Sequence, residues 1–215
     1  MLRIEGLSVS IQGASILRSV DLAIESGQFV GLIGRNGAGK TTLMRALMGI
    51  VPAQARRIEF DGRALDPLPT HARARSGLGY MPEDRRLVPE LSVEENVLLP
   101  AWASGARDGP ARLKRVYALI PEVAAFATRR ALQLSGGQQK LAALARALAS
   151  EPKLLLLDEP FEGVAPVLAQ RLAEVIRGLK RAGLSVLICE SNFTHVRGTL
   201  DTVYAIDRGA VTLSA

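Results

Sequence analysis

Cysteine is nearly missing from this sequence: Cys189 is the single one in 215 residues. One thiol excludes an internal disulfide and fits a reducing compartment. Lysine is scarce too, supplying five of the 27 basic residues, so the formal net charge of +6 is carried by arginine. The arginines fall in short pairs such as Arg56-Arg57, Arg85-Arg86 and Arg129-Arg130. Without a long basic run, no nucleic-acid partner is expected. Aromatic residues make up 4% of the chain, and none precedes Phe29. No stretch approaches the roughly 20 apolar residues of a membrane helix, and the first residues reach Arg3 and Glu5 without the apolar core of a secretion signal. A cytoplasmic chain is expected, one that meets a membrane only through partners. Internal repeats, low-complexity tracts and long linkers are also lacking.

What is present reads as one large α/β unit with a full core. Residues 2–25 alternate apolar and polar, with Gln12-Gly13 and Ser26-Gly27 as turns, which predicts antiparallel strands with one wet face. Phe29 to Ile33, Leu154 to Leu157 and Leu184 to Ile188 are near-continuous apolar runs, the pattern of strands buried on both faces. A helix is predicted from about Lys40 to Met48, closed by Gly49 and Pro52, and another near Ala165 to Ala182. Residues 57–62 read as an edge strand and turn, and 77–81 as a short strand stopped by Pro82. From about Leu91 to Ser150 the period is helical, broken by a Gly/Pro-rich stretch at 104–110. Residues 203–206 and 209–213 suggest a closing hairpin.

Between the first buried run and the first helix lies Gly34-Arg35-Asn36-Gly37-Ala38-Gly39-Lys40-Thr41, which satisfies G-x-x-x-x-G-K-[ST] in the strand-to-helix context that confirms it. Glycines let backbone N–H groups curl around a β-phosphate, and the helix N-terminus adds the positive end of a dipole. Lys40 supplies a point charge for the β- and γ-phosphates, the Thr41 hydroxyl can bind Mg2+, and Thr42 caps the α-phosphate side. The loop therefore predicts a bound nucleoside triphosphate with Mg2+ as its cofactor.

The run 154–157 leads straight into Asp158-Glu159, placing two carboxylates at the C-terminal end of a buried strand, the edge where open parallel sheets bind ligands. Asp158 is expected to hold Mg2+ through water and Glu159 to polarise the attacking water. Taken alone, such a pair is more often a helix cap; its place just after Leu134-Ser-Gly-Gly-Gln138 decides for catalysis. That string opens a helix with Leu141, Leu144, Ala145 and Leu148 at apolar spacing, so Ser135 and the N–H groups of Gly136 and Gly137 stand at a helix N-terminus.

Phosphate loop, LSGGQ and hydrophobic-DE, in this order, resemble the nucleotide-binding domain of ABC transporters over essentially the whole chain. The resemblance implies a P-loop NTPase core, a mostly parallel sheet with flanking helices, joined by an antiparallel β subdomain and a helical subdomain. It implies boundaries at 1–83 and 151–215 for the core and about 84–150 for the helical part, within one domain of residues 1–215. In that family two domains pack head to tail, so Ser135, Gly136, Gly137 and Gln138 are implied to act on ATP held by a second ABC ATPase subunit. Two membrane permease subunits, and indirectly a solute-binding protein, are the further implied partners, with a seat on the cytoplasmic face of the cell membrane.

Gly79 to Arg86, Leu91 to Asn96, Gly163 to Pro166 and Cys189 to Asn192 resemble the ATPase subunits of branched-chain amino-acid importers, and also those of urea and amide importers. Four positions depart from the general family pattern. Glu83 stands where a glutamine usually senses Mg2+. Ser191 holds the switch position that usually carries a histidine, with His195 four residues on and expected on a helix. Ile11 is the expected replacement for the missing aromatic under adenine, and Glu162 to Pro166 replaces an aspartate-containing loop. The helical lobe is expected to meet the permeases through Leu87, Val88, Leu91, Val97 and Leu98, although each also reads as core, as does Trp102 unless it is a rim contact. The missing histidine motivates a second reading, a non-hydrolysing or weakly hydrolysing partner in a heterodimeric ABC ATPase; intact Lys40, Asp158 and Glu159 argue against it. A soluble ATPase of DNA repair or translation is disfavoured by the short interval between Lys40 and Ser135.

Overall fold

The computed structural model describes residues 1–214; Ala215, the last residue of the expected domain, lies outside the described residues. The alternating segment at the start folds as a long hairpin, β1 (Leu2–Ile11) and β2 (Ala14–Ile24), turned by Gln12 and Gly13 at φ 48° and 81°. Its register slips between Ile4 and Leu7, Leu7 and Val9, and Val9 and Ser10, so period two does not hold along its length. Next come β3 (Phe29–Ile33), α1 (Lys40–Leu47), β4 (Arg57–Phe60) and the two-residue β5 (Arg63–Ala64). The first sheet has the order β2-β1-β4-β5. β4 is thus interior rather than the edge strand expected at 57–62, because β5 covers its free side.

Helix α2 (Thr70–Arg75) has no counterpart in the sequence reading, since six residues give no apolar period to detect. Its buried Arg73 donates from Nη1 to the carbonyl of Ala46 at 2.9 Å, which also accepts the Gly49 N–H, and to that of Leu47 at 3.0 Å, an acceptor at the end of α1. Then follow β6 (Leu78–Met81), α3 (Val93–Ser104), α4 (Gly109–Leu119), α5 (Pro121–Ala125), α6 (Gly136–Ala149), β7 (Leu154–Asp158), α7 (Pro166–Arg181), β8 (Ser185–Glu190), β9 (Thr202–Asp207) and β10 (Ala210–Leu213). The expected break at 104–110 is where α3 ends on left-handed Gly105 and α4 begins with Pro110 in its first turn.

The second sheet runs β10-β9-β3-β8-β7-β6, parallel throughout except for β10, which returns antiparallel on β9. Both its faces are covered, which explains the unbroken apolar runs. Leu154 and Leu156 of β7 pack toward α1 and the first sheet, while Leu155 and Leu157 pack toward α6 and α7. On α7, Ala169, Leu172, Ala173, Ile176 and Leu179 are buried at helical spacing, each leucine worth roughly 1.5–3 kcal/mol of transfer free energy. Cys189 sits inside this sheet, fully buried between Leu32 of β3 and Asp158 of β7. His195 lies in a turn instead of on the expected helix, its ring 5.0 Å from that of Phe161. Trp102 is 53% exposed, so core packing does not account for it.

Candidate functional site

Three neighbouring strand ends build the site. β8 lies between β3 and β7, and both emerging loops lean on it: Gly34 N–H donates to the Glu190 carbonyl at 3.2 Å and Glu159 N–H to the Cys189 carbonyl at 3.0 Å. The phosphate loop requires its glycines. Gly39 has φ 115°, outside the range of L side chains, and a Cβ on Gly34 would stand 2.4 Å from the Ile206 carbonyl oxygen. Arg35 and Ala38 shape the loop through main chain, the Ala38 N–H donating to the Arg35 carbonyl at 3.1 Å.

Lys40, only 4% exposed, opens α1. Its ammonium donates to the carbonyls of Gly34 at 2.5 Å and Arg35 at 3.2 Å, reaches Ser191 Oγ at 3.3 Å, and pairs with Glu159 Oε1 at 2.8 Å. Ser191 Oγ is 2.7 Å from Asn36 Oδ1 and 3.2 Å from Glu159 Oε1. Thr41 Oγ1 lies 3.2 Å from Asp158 Oδ1 and 3.5 Å from Glu83 Oε2, and Tyr80 donates its hydroxyl to Asp158 Oδ2 at 3.1 Å. The structure therefore brings Lys40, Thr41, Glu83, Asp158, Glu159 and Ser191 together. One hydroxyl and two carboxylates are hard oxygen donors of the kind Mg2+ takes, so Thr41, Glu83 and Asp158 are the residues that would hold that ion.

Asn36, Gly37, Gly39, Thr42 and Glu162 complete the lining of a cleft of about 380 Å3 beside this cluster. Its apolar wall is Ile16. Ile11, the expected adenine contact, is 42% exposed at the hairpin tip and is absent from that lining. The register slips of β1 against β2 defeat the alternation from which facing is read.

The carboxylates are set against one another. Burial raises Asp158 to about 6, opposed by the hydrogen bonds from Tyr80 and Thr41 and reinforced by Glu83 and Glu159. Burial also raises Glu190 to about 8; its Oε1 accepts the Phe161 N–H at 2.9 Å, and Glu159 pushes it further up. Glu162 is raised by burial and by Glu83 and Glu159. Between about pH 4.3, where Glu190 titrates in the unfolded chain, and about 8, the folded chain keeps a proton on Glu190 that the unfolded chain has lost. Stability therefore falls as pH rises through this window. The thermal midpoint of the nucleotide-free chain is expected to be higher at pH 6 than at pH 8.5, and Glu190→Gln to flatten the difference. An undiminished slope in the variant would count against this assignment.

The Leu134 to Gln138 string caps α6. Ser135 Oγ accepts the Gln138 N–H at 3.3 Å, and Gln138 Oε1 accepts the Ser135 N–H at 3.0 Å. Gly136 and Gly137 form the first turn. A Cβ on Gly137 would stand 2.0 Å from Leu168 Cδ2 of α7, so the turn packs directly on the segment that follows Glu159.

Sequence reasoning does not reach Ile16, Tyr80, Lys140 and Glu190 as site residues, whereas Glu162, marked there as opening an atypical loop, does line the cleft. Glu190 carried a signal: a carboxylate ending a strand whose six residues are all buried. Lys140 carried a weaker one, a lone cation amid the apolar face of α6, where it is 1% exposed. Burial lowers its pKa, helped by Arg85 and opposed by Glu190, Glu162 and Glu83. A second cleft, beside the helical lobe, measures about 420 Å3 and is lined by Arg45, Ile50, Tyr80, Pro100 and Arg146 among others, while Leu87 lines a separate hollow with Asp84, Arg85, Arg86 and Leu132. Val97 is fully buried in the lobe's own core.

The family model described as ABC transporter matches residues 17–162. A probable ABC transporter ATP-binding protein of Azorhizobium caulinodans is 38% identical over 96% of this chain and 74% of its own length. The high-affinity branched-chain amino acid transport ATP-binding protein BraG of Pseudomonas aeruginosa is 35% identical over 99% of this chain and 91% of its own. The lipopolysaccharide export system ATP-binding protein LptB of Escherichia coli K12 is 36% identical over 95% and 86%. A crystal structure of a nucleotide-free ATP-binding cassette from an ABC transporter superposes with TM-score 0.87 at 25% identity, over 98% of this chain and 89% of that one.

Proposed function

The chain belongs to the ABC transporter ATP-binding family, and we propose that within it the chain energises an importer of branched-chain amino acids or a related small amide or amino-acid solute. It is an ATPase of the ABC type, and the reading of its site rests on one observation. Lys40, Glu159 and Ser191 stand within 3.3 Å of one another while Thr41, Glu83 and Asp158 converge beside them. Bound Mg2+ would neutralise charge developing on the phosphates. Lys40 binds the β- and γ-phosphates, and a phosphate arriving there competes with Glu159 for its charge. Glu159, once released from Lys40, is free to orient and polarise water, and Ser191 with Asn36 flanks it where a switch histidine is usual. Ile16 takes over the apolar contact to the base first assigned to Ile11.

Ser135 to Gln138 act on ATP held by a second ABC ATPase subunit, identical or related, in a head-to-tail dimer. Two permease subunits dock on the helical side, at the cleft between Arg45 and Arg146, and hold the chain on the cytoplasmic face of the membrane. No helix among the described residues is long and apolar enough to cross a membrane. The chain forms one domain, with core parts 1–83 and 151–215 and a helical part at about 84–150.

Import is supported by the likeness to BraG across nearly its whole length and by the fragments 79–86, 91–96 and 189–192. Likeness to LptB at a similar identity favours a second reading, export of a lipidic substrate. Proteoliposomes holding the chain with its co-expressed permeases decide between them. ATP-dependent accumulation of leucine or a small amide, lost with Glu159→Gln, is the expected outcome; ATP turnover that no such solute stimulates favours export.

A further inference from the structure

The N-terminal turn of α6 does more than carry the signature string. Gln138 is spent on the cap, Gln139 faces the loop after Glu83, and Lys140 faces Glu159. Gln139 Oε1 accepts from Arg85 Nη1 at 3.1 Å, and farther along the helix Arg146 donates to the carbonyls of Arg85 and Arg86, both at 2.6 Å. Those two arginines have φ 63° and 47°, so the loop is bolted to α6 in a backbone conformation it would not choose alone. Lys140 Nζ donates to the main-chain carbonyl of Glu159, which also accepts the Glu162 N–H at 3.2 Å. Glu159 is itself left-handed, at φ 48°. Two arms of the site, the Glu83 loop and the Glu159 backbone, are thus fastened to one helix.

An ammonium 1% exposed is costly to bury, and an unbranched apolar side chain would fill the same volume without that cost. Its retained contact is with the backbone of one carboxylate residue, and the charges that compensate it are Glu190, Glu162 and Glu83. We propose that Lys140 is a positioning residue for Glu159, transmitting displacement of the Ser135–Gln138 turn to the same chain's own water-polarising carboxylate. Engagement of that turn by phosphate would move Lys140 with it, because the two are one helical turn apart on a rigid element. Each chain's Glu159 would then respond to the occupancy of the site that its signature closes.

This proposal rests on the assignment of Glu159 as the water-polarising group, so the test includes Glu159→Gln. ATP turnover and ATP affinity are measured for the full chain with Lys140→Met, which removes donor and charge, and with Lys140→Gln, which keeps a donor. A loss of about tenfold or more in kcat is expected for Met, with KM and nucleotide affinity within about threefold of wild type and Gln restoring part of the rate. Lys140→Met should add no further loss to Glu159→Gln, because it acts through that residue. If Met does not fold, a fall in kcat at constant KM with Gln carries the same meaning. Wild-type kcat in the folded Lys140 variants, a change confined to KM, or full additivity in the double variant overturns the proposal. Full turnover by Glu159→Gln would instead remove the assignment beneath it.

Discussion

Lys40→Ala is expected to abolish measurable ATP binding at micromolar nucleotide. The ammonium sits at the mouth of α1 with contacts to two loop carbonyls, Ser191 and Glu159. Two charge-assisted contacts to phosphate, at about 1.5–3 kcal/mol each, correspond to roughly 10²- to 10⁴-fold in affinity. The loss should lie at the upper end, since Glu159 then faces the triphosphate with its cation removed and Glu83, Glu162 and Asp158 stand close by. Titration with a fluorescent ATP analogue checks it. Affinity within a few-fold of wild type would mean that residues 34–41 are not the phosphate cradle.

Glu159→Gln is expected to separate binding from turnover. Gln is isosteric, so the hydrogen bond from Ser191 and the shape of the cleft survive, while the charge that holds Lys40 and polarises water is lost. General-base contributions of this kind amount to about 10²- to 10⁴-fold, so kcat should fall by at least about two orders of magnitude. ATP affinity should hold or rise, because phosphate no longer competes with a carboxylate for Lys40. Single-turnover and equilibrium binding measurements on the same preparation read both quantities. A variant that hydrolyses ATP within a few-fold of wild type would move the role to another group, with Glu162 or Glu190 next in reach.

Lys40 and Glu159 are legible in the sequence alone, for a physical reason. A strand buried on both faces is an unbroken apolar run, so Phe29 to Ile33 and Leu154 to Leu157 announce themselves, and whatever follows each run lies at the sheet's ligand-binding edge. Local signals failed where position depends on the partner strand or helix. The slips between β1 and β2 exchange Ile16 for Ile11. Tyr80 reaches Asp158 only because β6 pairs with β7. Lys140 is one polar residue in an amphipathic helix until the packing of α6 brings it under Glu159. His195 failed differently: after Ser191 the backbone turns through residues 194–196 before a helix can start.

Cys189 has a use unrelated to transport. The single thiol is sealed in the middle strand of three, and burial raises its pKa far above that of a free thiol. Reagents that need an exposed thiolate pass it by in the native chain. A cysteine introduced anywhere on the surface is therefore the one position that takes a spin label or a fluorophore, with the natural residue left in place. Distances across an assembled pair, from the signature turn of one chain to the phosphate loop of the next, become measurable without first rebuilding the strand that holds the site together.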